Sequence, residues 1–127
     1  AIPDQGREID LGGYKLQLIP AHYLHSSGNF NVYDPESKVL MSGDIGAALE
    51  TVDAPLFVED FDEHIAKMEG FHRRWMPSNS AKNDWVRRVR LLDIEYMAPQ
   101  HGRIFTGDNI TKFLDWFEAL EVGILNK

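Results

Sequence analysis

Apolar and polar positions alternate along residues 14–19, where Tyr14, Leu16 and Leu18 interleave with Lys15 and Gln17. That period of two predicts a strand with one buried and one wet face. Residues 7–11 form an earlier strand, joined to it through Gly12-Gly13, a strong hairpin signal. Residues 29–33 alternate in the same way, with Phe30 and Val32 expected inward, and residues 38–42 are nearly continuously apolar, as in an interior strand. Between them Asp34-Pro35-Glu36-Ser37 reads as a type I turn, with Asp at the first position and Pro pre-set at the second. These four strands predict one antiparallel-rich sheet.

From Ala47 the period lengthens. Phe61, Ile65, Met68 and Trp75 recur at helical spacing behind an acidic start at Glu59, Asp60, Asp62 and Glu63, and Pro77 stops the run. Ser80 is placed to cap a second helix with Trp85, Val89 and Leu92 on its core face. Residues 94–97 form a short strand. Asp108 then caps a third helix bearing Ile110, Phe113, Leu114, Phe117 and Leu120 on one face and ending near Gly123. Strands first, then helices with one late strand, predict an α+β fold with helices on one face of a sheet.

Length allows one domain at most across the 127 residues. The formal net charge of −7 disfavours nucleic acid and anionic membranes as partners. The short basic run at Arg87, Arg88 and Arg90 sits beside Asp84, Asp93 and Glu95, which makes it a solvated helix face. Absence of cysteine removes disulfides, thiolate nucleophiles and zinc-finger chemistry, leaves metal binding to His and carboxylates, and is compatible with a reducing cytoplasm. No apolar run approaches the roughly 18 residues that a membrane span needs. The expectation is a cytoplasmic protein that neither crosses a membrane nor binds nucleic acid.

Three polar residues follow strand-like runs closely: His25 after the second strand, Asp44 after residues 38–42, and His101 after residues 94–97. Strand ends that each present a hard or borderline ligand to one space are how a layered fold builds a metal site, and a His and carboxylate set suits iron, zinc or manganese. Gly28, Gly43, Gly46 and Gly102 stand beside these candidates, where they let the backbone approach a small site. His22 precedes His25 by three residues; in an extended segment the two point to opposite faces, so His22 is read as a packing or supporting residue. His64 and His72, among Asp62, Glu63, Glu69 and Arg73, read as a solvated helix face. Neither a dinucleotide nor a phosphate loop is present, nor a Gly-x-Ser-x-Gly elbow, and nothing marks Ser26, Ser27 or Ser42 as an activated nucleophile.

Four segments together resemble the C-terminal half of the metallo-β-lactamase fold. They are Leu24-His25-Ser26-Ser27-Gly28-Asn29-Phe30, Tyr33-Asp34-Pro35 with Ser37-Lys38-Val39-Leu40, Ser42-Gly43-Asp44-Ile45-Gly46, and Ala98-Pro99-Gln100-His101-Gly102. Within that superfamily they look most like the flavodiiron and oxygen-binding diiron branch. The resemblance implies that residues 1–127 form the C-terminal part of a four-layer αββα sandwich with two metals at the edge of its sheets. Asp44 would bridge both metals, and His25 and His101 would each bind one. In that branch the pair is usually iron and binds or reduces dioxygen or nitric oxide, so a small diatomic is the implied ligand. A dizinc hydrolase of the same fold and a non-enzymatic oxygen-sensing module are the alternatives. The family's other ligands lie on a His-x-[His/Glu]-x-Asp-His segment in the first half of the fold, and no such motif occurs here. The resemblance therefore implies an incomplete site and a partner for the sheet, either a second copy or a separate N-terminal half. Any activity, as diiron oxidoreductase or metallohydrolase, would need that missing half.

Overall fold

The computed structural model describes residues 7–21, 30–76 and 79–122, with the side chains of Leu11 and Trp75 left aside. His22, His25, Gly28, Asn29, Pro77 and Gly123 lie outside the described residues. Within them, six strands form one mixed sheet in the order β1-β2-β3-β4-β5-β6. The strands are β1 Arg7–Leu11, β2 Tyr14–Pro20, β3 Phe30–Asp34, β4 Val39–Gly43, β5 Tyr96–Pro99 and β6 Phe105–Thr106; the helices are α1 Phe61–Trp75, α2 Asn79–Val89 and α3 Asp108–Ala119. All neighbouring strands pair antiparallel except β4 and β5, which run parallel.

Local chemistry explains most boundaries. Gly12 and Gly13 both take positive φ, 66° and 94°, as the β1–β2 turn requires, and Gly13 N–H donates to Asp10 Oδ1 at 2.7 Å. In the β3–β4 turn Asp34 accepts from Glu36 N–H at 3.0 Å and from the Ser37 hydroxyl at 2.7 Å, and the Tyr14 hydroxyl also reaches its carboxylate. Asp60 caps α1 by accepting from Glu63 N–H at 3.2 Å. Two caps differ from expectation. Ser80 lies inside α2 rather than ahead of it, and Asn79 instead ties α2 to the backbone of Val122 with bonds of 3.3 and 2.8 Å. Gly107, not Asp108, is the N-cap of α3 and makes no side-chain cap bond. The late strand begins at Tyr96 instead of residue 94, because Glu95 and Tyr96 N–H first donate to Lys38 O.

Cross-strand register decides which face is buried. Tyr33, Leu40, Met97 and Phe105 follow one another across the sheet and are 0–4% exposed, facing Phe61, Met68, Trp85, Val86, Phe113 and Phe117 of the helices. The opposite face carries Leu16, Leu18, Phe30 and Val32, all half-buried, and Met41, exposed. Phe30 and Val32 are thus not the helix-facing pair; Asn31 and Tyr33 are. Met41 shares the face of Leu16 and Leu18, and Leu40 the helix-covered one. No helix among the described residues is long and apolar enough to cross a membrane.

His64 and His72 are not solvated. They are 1% and 0% exposed, because with Phe61 and Met68 they follow the i, i+3, i+7, i+11 rule of one helix face. His72 stands among Phe71, Phe113, Trp116 and Phe117, with ring centroids 5.3–6.1 Å away. Its Nδ1–H donates to Met68 O at 2.8 Å and its Nε2 accepts from Gly46 N–H at 2.9 Å, which sets the neutral tautomer. Burial pushes its pKa down to about 4 and also lowers that of His64.

The pH dependence of stability follows. The unfolded chain protonates these imidazoles below pH 6.5, whereas His72 stays neutral in the fold down to about 4. The His72 contribution is complete above that upper value and declines as pH falls through the window, by about 1.4 kcal/mol per unit and on the order of 3 kcal/mol across it; His64 adds in the same direction. Urea unfolding between pH 7 and 4.5 should reveal the decline; constant stability across that range would refute it.

Candidate metal site

Strand direction assembles the candidate site. Because β4 and β5 are parallel neighbours, their C-terminal ends emerge at the same edge of the sheet. Asp44 follows β4 directly, and His101 lies two residues beyond β5. β2 is antiparallel to β3, which is antiparallel to β4, so the end of β2 and the start of β3 open at that edge too. His25 belongs to the connection between those two ends and lies outside the described residues.

Backbone bonds lock the two loops together. Gln100 N–H donates to Gly43 O at 2.7 Å, and Ala48 N–H donates to His101 O at 3.3 Å. Ala47 N–H returns to Asp44 O at 3.1 Å, closing a turn around the carboxylate residue. Ser42, weighed as a nucleophile, is fully buried and donates its hydroxyl to Ile45 O at 2.7 Å, a bond that holds this turn. Two glycines permit the approach. At Gly46, φ is +89° and an added Cβ would stand 3.0 Å from Met97 Cε and 3.1 Å from Phe105 Cε1. At Gly102, φ is +103° and a Cβ would stand 2.9 Å from Ala48 N.

Asp44, half-buried, and His101, exposed, line one cleft with Ala47, Ala48, Leu49 and Phe71. The cleft has about 110 Å³ of water-accessible volume, and among the described residues no lysine or arginine lines it. Among the described residues no cluster of three or more His, Cys, Asp or Glu side chains could hold a metal ion. One carboxylate and one imidazole at a common edge fit a borderline metal as part of a larger donor set.

A second polar group lies behind this edge and was not found from sequence. Arg103 Nε and Nη2 donate to Glu50 Oε1 and Oε2 at 3.0 and 3.3 Å. Lys67 Nζ and His64 Nδ1 lie 3.9 and 3.8 Å from Glu50 Oε1. Neither nitrogen of the His64 ring has a hydrogen-bond partner among the described residues. A pair separated by 53 positions leaves no local pattern for sequence reading to detect.

Comparison with known proteins places this architecture in context. The family model ODP family beta lactamase matches residues 1–102. A solved structure described as the apo state of chemotaxis sensor ODP from T. denticola is 44% identical with a TM-score of 0.90, covering 96% of this chain and 51% of that one. A second structure, described as a peroxy diiron species of chemotaxis sensor ODP, is 45% identical with a TM-score of 0.88, covering 96% of this chain and 52% of that one. The flavodiiron protein from Giardia intestinalis has a TM-score of 0.80 at 18% identity over 92% of this chain and 29% of that one, a likeness of fold. An uncharacterized protein of Methanocaldococcus jannaschii is 34% identical over 134 residues, 91% of this chain and 30% of that protein. The chain therefore spans about half the length of the ODP structures and under a third of that archaeal relative.

The close approach at Gly102 can be tested directly. Gly102→Ala should cost about 1–3 kcal/mol, since it meets backbone and requires a left-handed conformation. Gly70→Ala, on α1 with nothing near its Cβ, should stabilise by about 0.4–1 kcal/mol. Equal effects of the two in thermal unfolding would contradict the assigned packing of the His101 loop.

Proposed function

The chain belongs to the ODP beta-lactamase family, and from that premise we propose that it carries part of a diiron site that binds dioxygen or nitric oxide. Asp44, His25 and His101 are the ligands it contributes. Asp44 would hold both metals, and each imidazole would hold one. When bound, the two irons supply a redox-active centre for a small diatomic. The remaining ligands come from the other half of an αββα sandwich, laid against the face carrying Leu16, Leu18, Phe30, Val32 and Met41. That assignment is supported by the half-buried state of this apolar face and by the share of the ODP structures that the chain spans.

One observation carries the reading: Asp44 and His101 share a cleft whose other described lining residues are Ala47, Ala48, Leu49 and Phe71. Aliphatic and aromatic walls favour an uncharged diatomic, which needs no counter-charge. An anionic hydrolase substrate would gain from a cationic side chain beside the metals, and the nearby Lys67 and Arg103 attend Glu50 instead. Sensing is favoured over turnover because the relatives at 44–45% identity are described as a chemotaxis sensor. In this role the chain's residues bind and orient the centre, and the apolar walls limit water around it.

Metal content of the intact protein and its variants tests the assignment. Asp44→Ala should lower occupancy of both irons, because it removes the charge that compensates two adjacent cations. His25→Ala or His101→Ala should deplete one iron more than the other. Full occupancy in the Asp44 variant would overturn the bridging role.

A further inference from the structure

The Glu50–Arg103 pair joins the two loops that carry Asp44 and His101. Glu50 follows Asp44 by six residues, and Arg103 follows His101 by two. Both side chains are mostly buried, 11% and 16% exposed, and they meet in a two-pronged contact. Such a fork fixes direction as well as distance, because the planar guanidinium matches the carboxylate edge to edge. It is also anchored to the helix layer. Leu49 N–H donates to Lys67 O at 3.2 Å, and the Lys67 ammonium approaches the same Glu50 oxygen.

Near their strand ends the loops are tied by Gln100 N–H to Gly43 O at 2.7 Å and by the longer Ala48 N–H to His101 O at 3.3 Å. Beyond Arg103 they are tied again, where Ile104 N–H donates to Leu56 O at 2.8 Å and Ile104 O accepts from Val58 N–H at 2.9 Å. The fork lies between these two backbone ties and fixes the spacing of the loops there by a directed side-chain contact. We propose that Glu50 and Arg103 are positioning residues that set the separation of Asp44 and His101 and so control the affinity of their metal centre. This inference rests on the metal-site reading above. Neither side chain lines the Asp44–His101 cleft, so each acts through the loops and not as a ligand. Stability alone would not select a fork here, since a buried ion pair can often be replaced by well-packed apolar side chains without loss.

Cobalt(II) titration of the intact protein, read by visible absorption, tests the inference beside thermal melting without metal. Glu50→Gln and Arg103→Lys each remove the fork while keeping similar volume, and should weaken cobalt binding by about 10–100-fold, the range for groups that orient metal ligands. Arg103→Lys keeps the charge, so failure to restore affinity marks geometry as the cause. The double variant Glu50→Met with Arg103→Met removes the buried charges together and should fold while still binding weakly. Wild-type affinity in Arg103→Lys or in the double variant would overturn the positioning role. Asp44→Ala and His101→Ala distinguish the two claims. If they lose cobalt while the fork variants do not, only the positioning inference fails; if they also bind as wild type, the site reading fails with it.

Discussion

Parallel pairing of β4 with β5 is the constraint on which the rest of the arrangement depends. In an otherwise antiparallel sheet, one parallel contact brings two C-terminal strand ends to the same edge, although some fifty residues of chain separate them. That intervening chain must cross over the sheet, and α1 and α2 make the crossing. The helices thereby cover one face, while the loops after β4 and β5 meet at one edge. Asp44 and His101 become neighbours through topology before any side-chain contact is considered.

The same crossing explains what presses on the site from behind. His72 on α1 accepts the Gly46 N–H, two residues beyond Asp44, and its ring is held in place by aromatic side chains of α3. Gly46 in turn lies tightly against Met97 and Phe105 of the sheet. Helix, loop and strand thus meet with little free space, so displacement of one is felt by the others. The uncovered side of the sheet differs. Its described apolar residues are half-buried or, at Met41, exposed, as suits a sheet that packs against another layer.

Much of this was legible in the sequence, for identifiable reasons. The first hairpin announced itself through Gly12-Gly13, and helix α1 through its apolar spacing and acidic start. Asp44 and His101 were visible because each follows a strand-like run with glycine nearby. His64 and His72 were misread because polar neighbours outweighed their position, which the spacing from Phe61 and Met68 would have corrected. The buried face of β4 could not be chosen from pattern, because Leu40 and Met41 are both apolar and alternation does not say which face the helices cover. β6 is two residues long and owes its existence to pairing with β5, so it has no periodicity to detect. Asn79 and the Glu50–Arg103 fork depend on distant chain segments and escape any local reading.

The central claim is that the edge formed by β4 and β5 belongs to an iron site for a small diatomic. The most direct measurement is metal analysis of the intact protein purified without air, followed by its visible spectrum as dioxygen is admitted. The account predicts two irons per completed site and a new absorption band that depends on Asp44. Zinc in place of iron, or an iron-loaded protein whose spectrum ignores both dioxygen and nitric oxide, would contradict it.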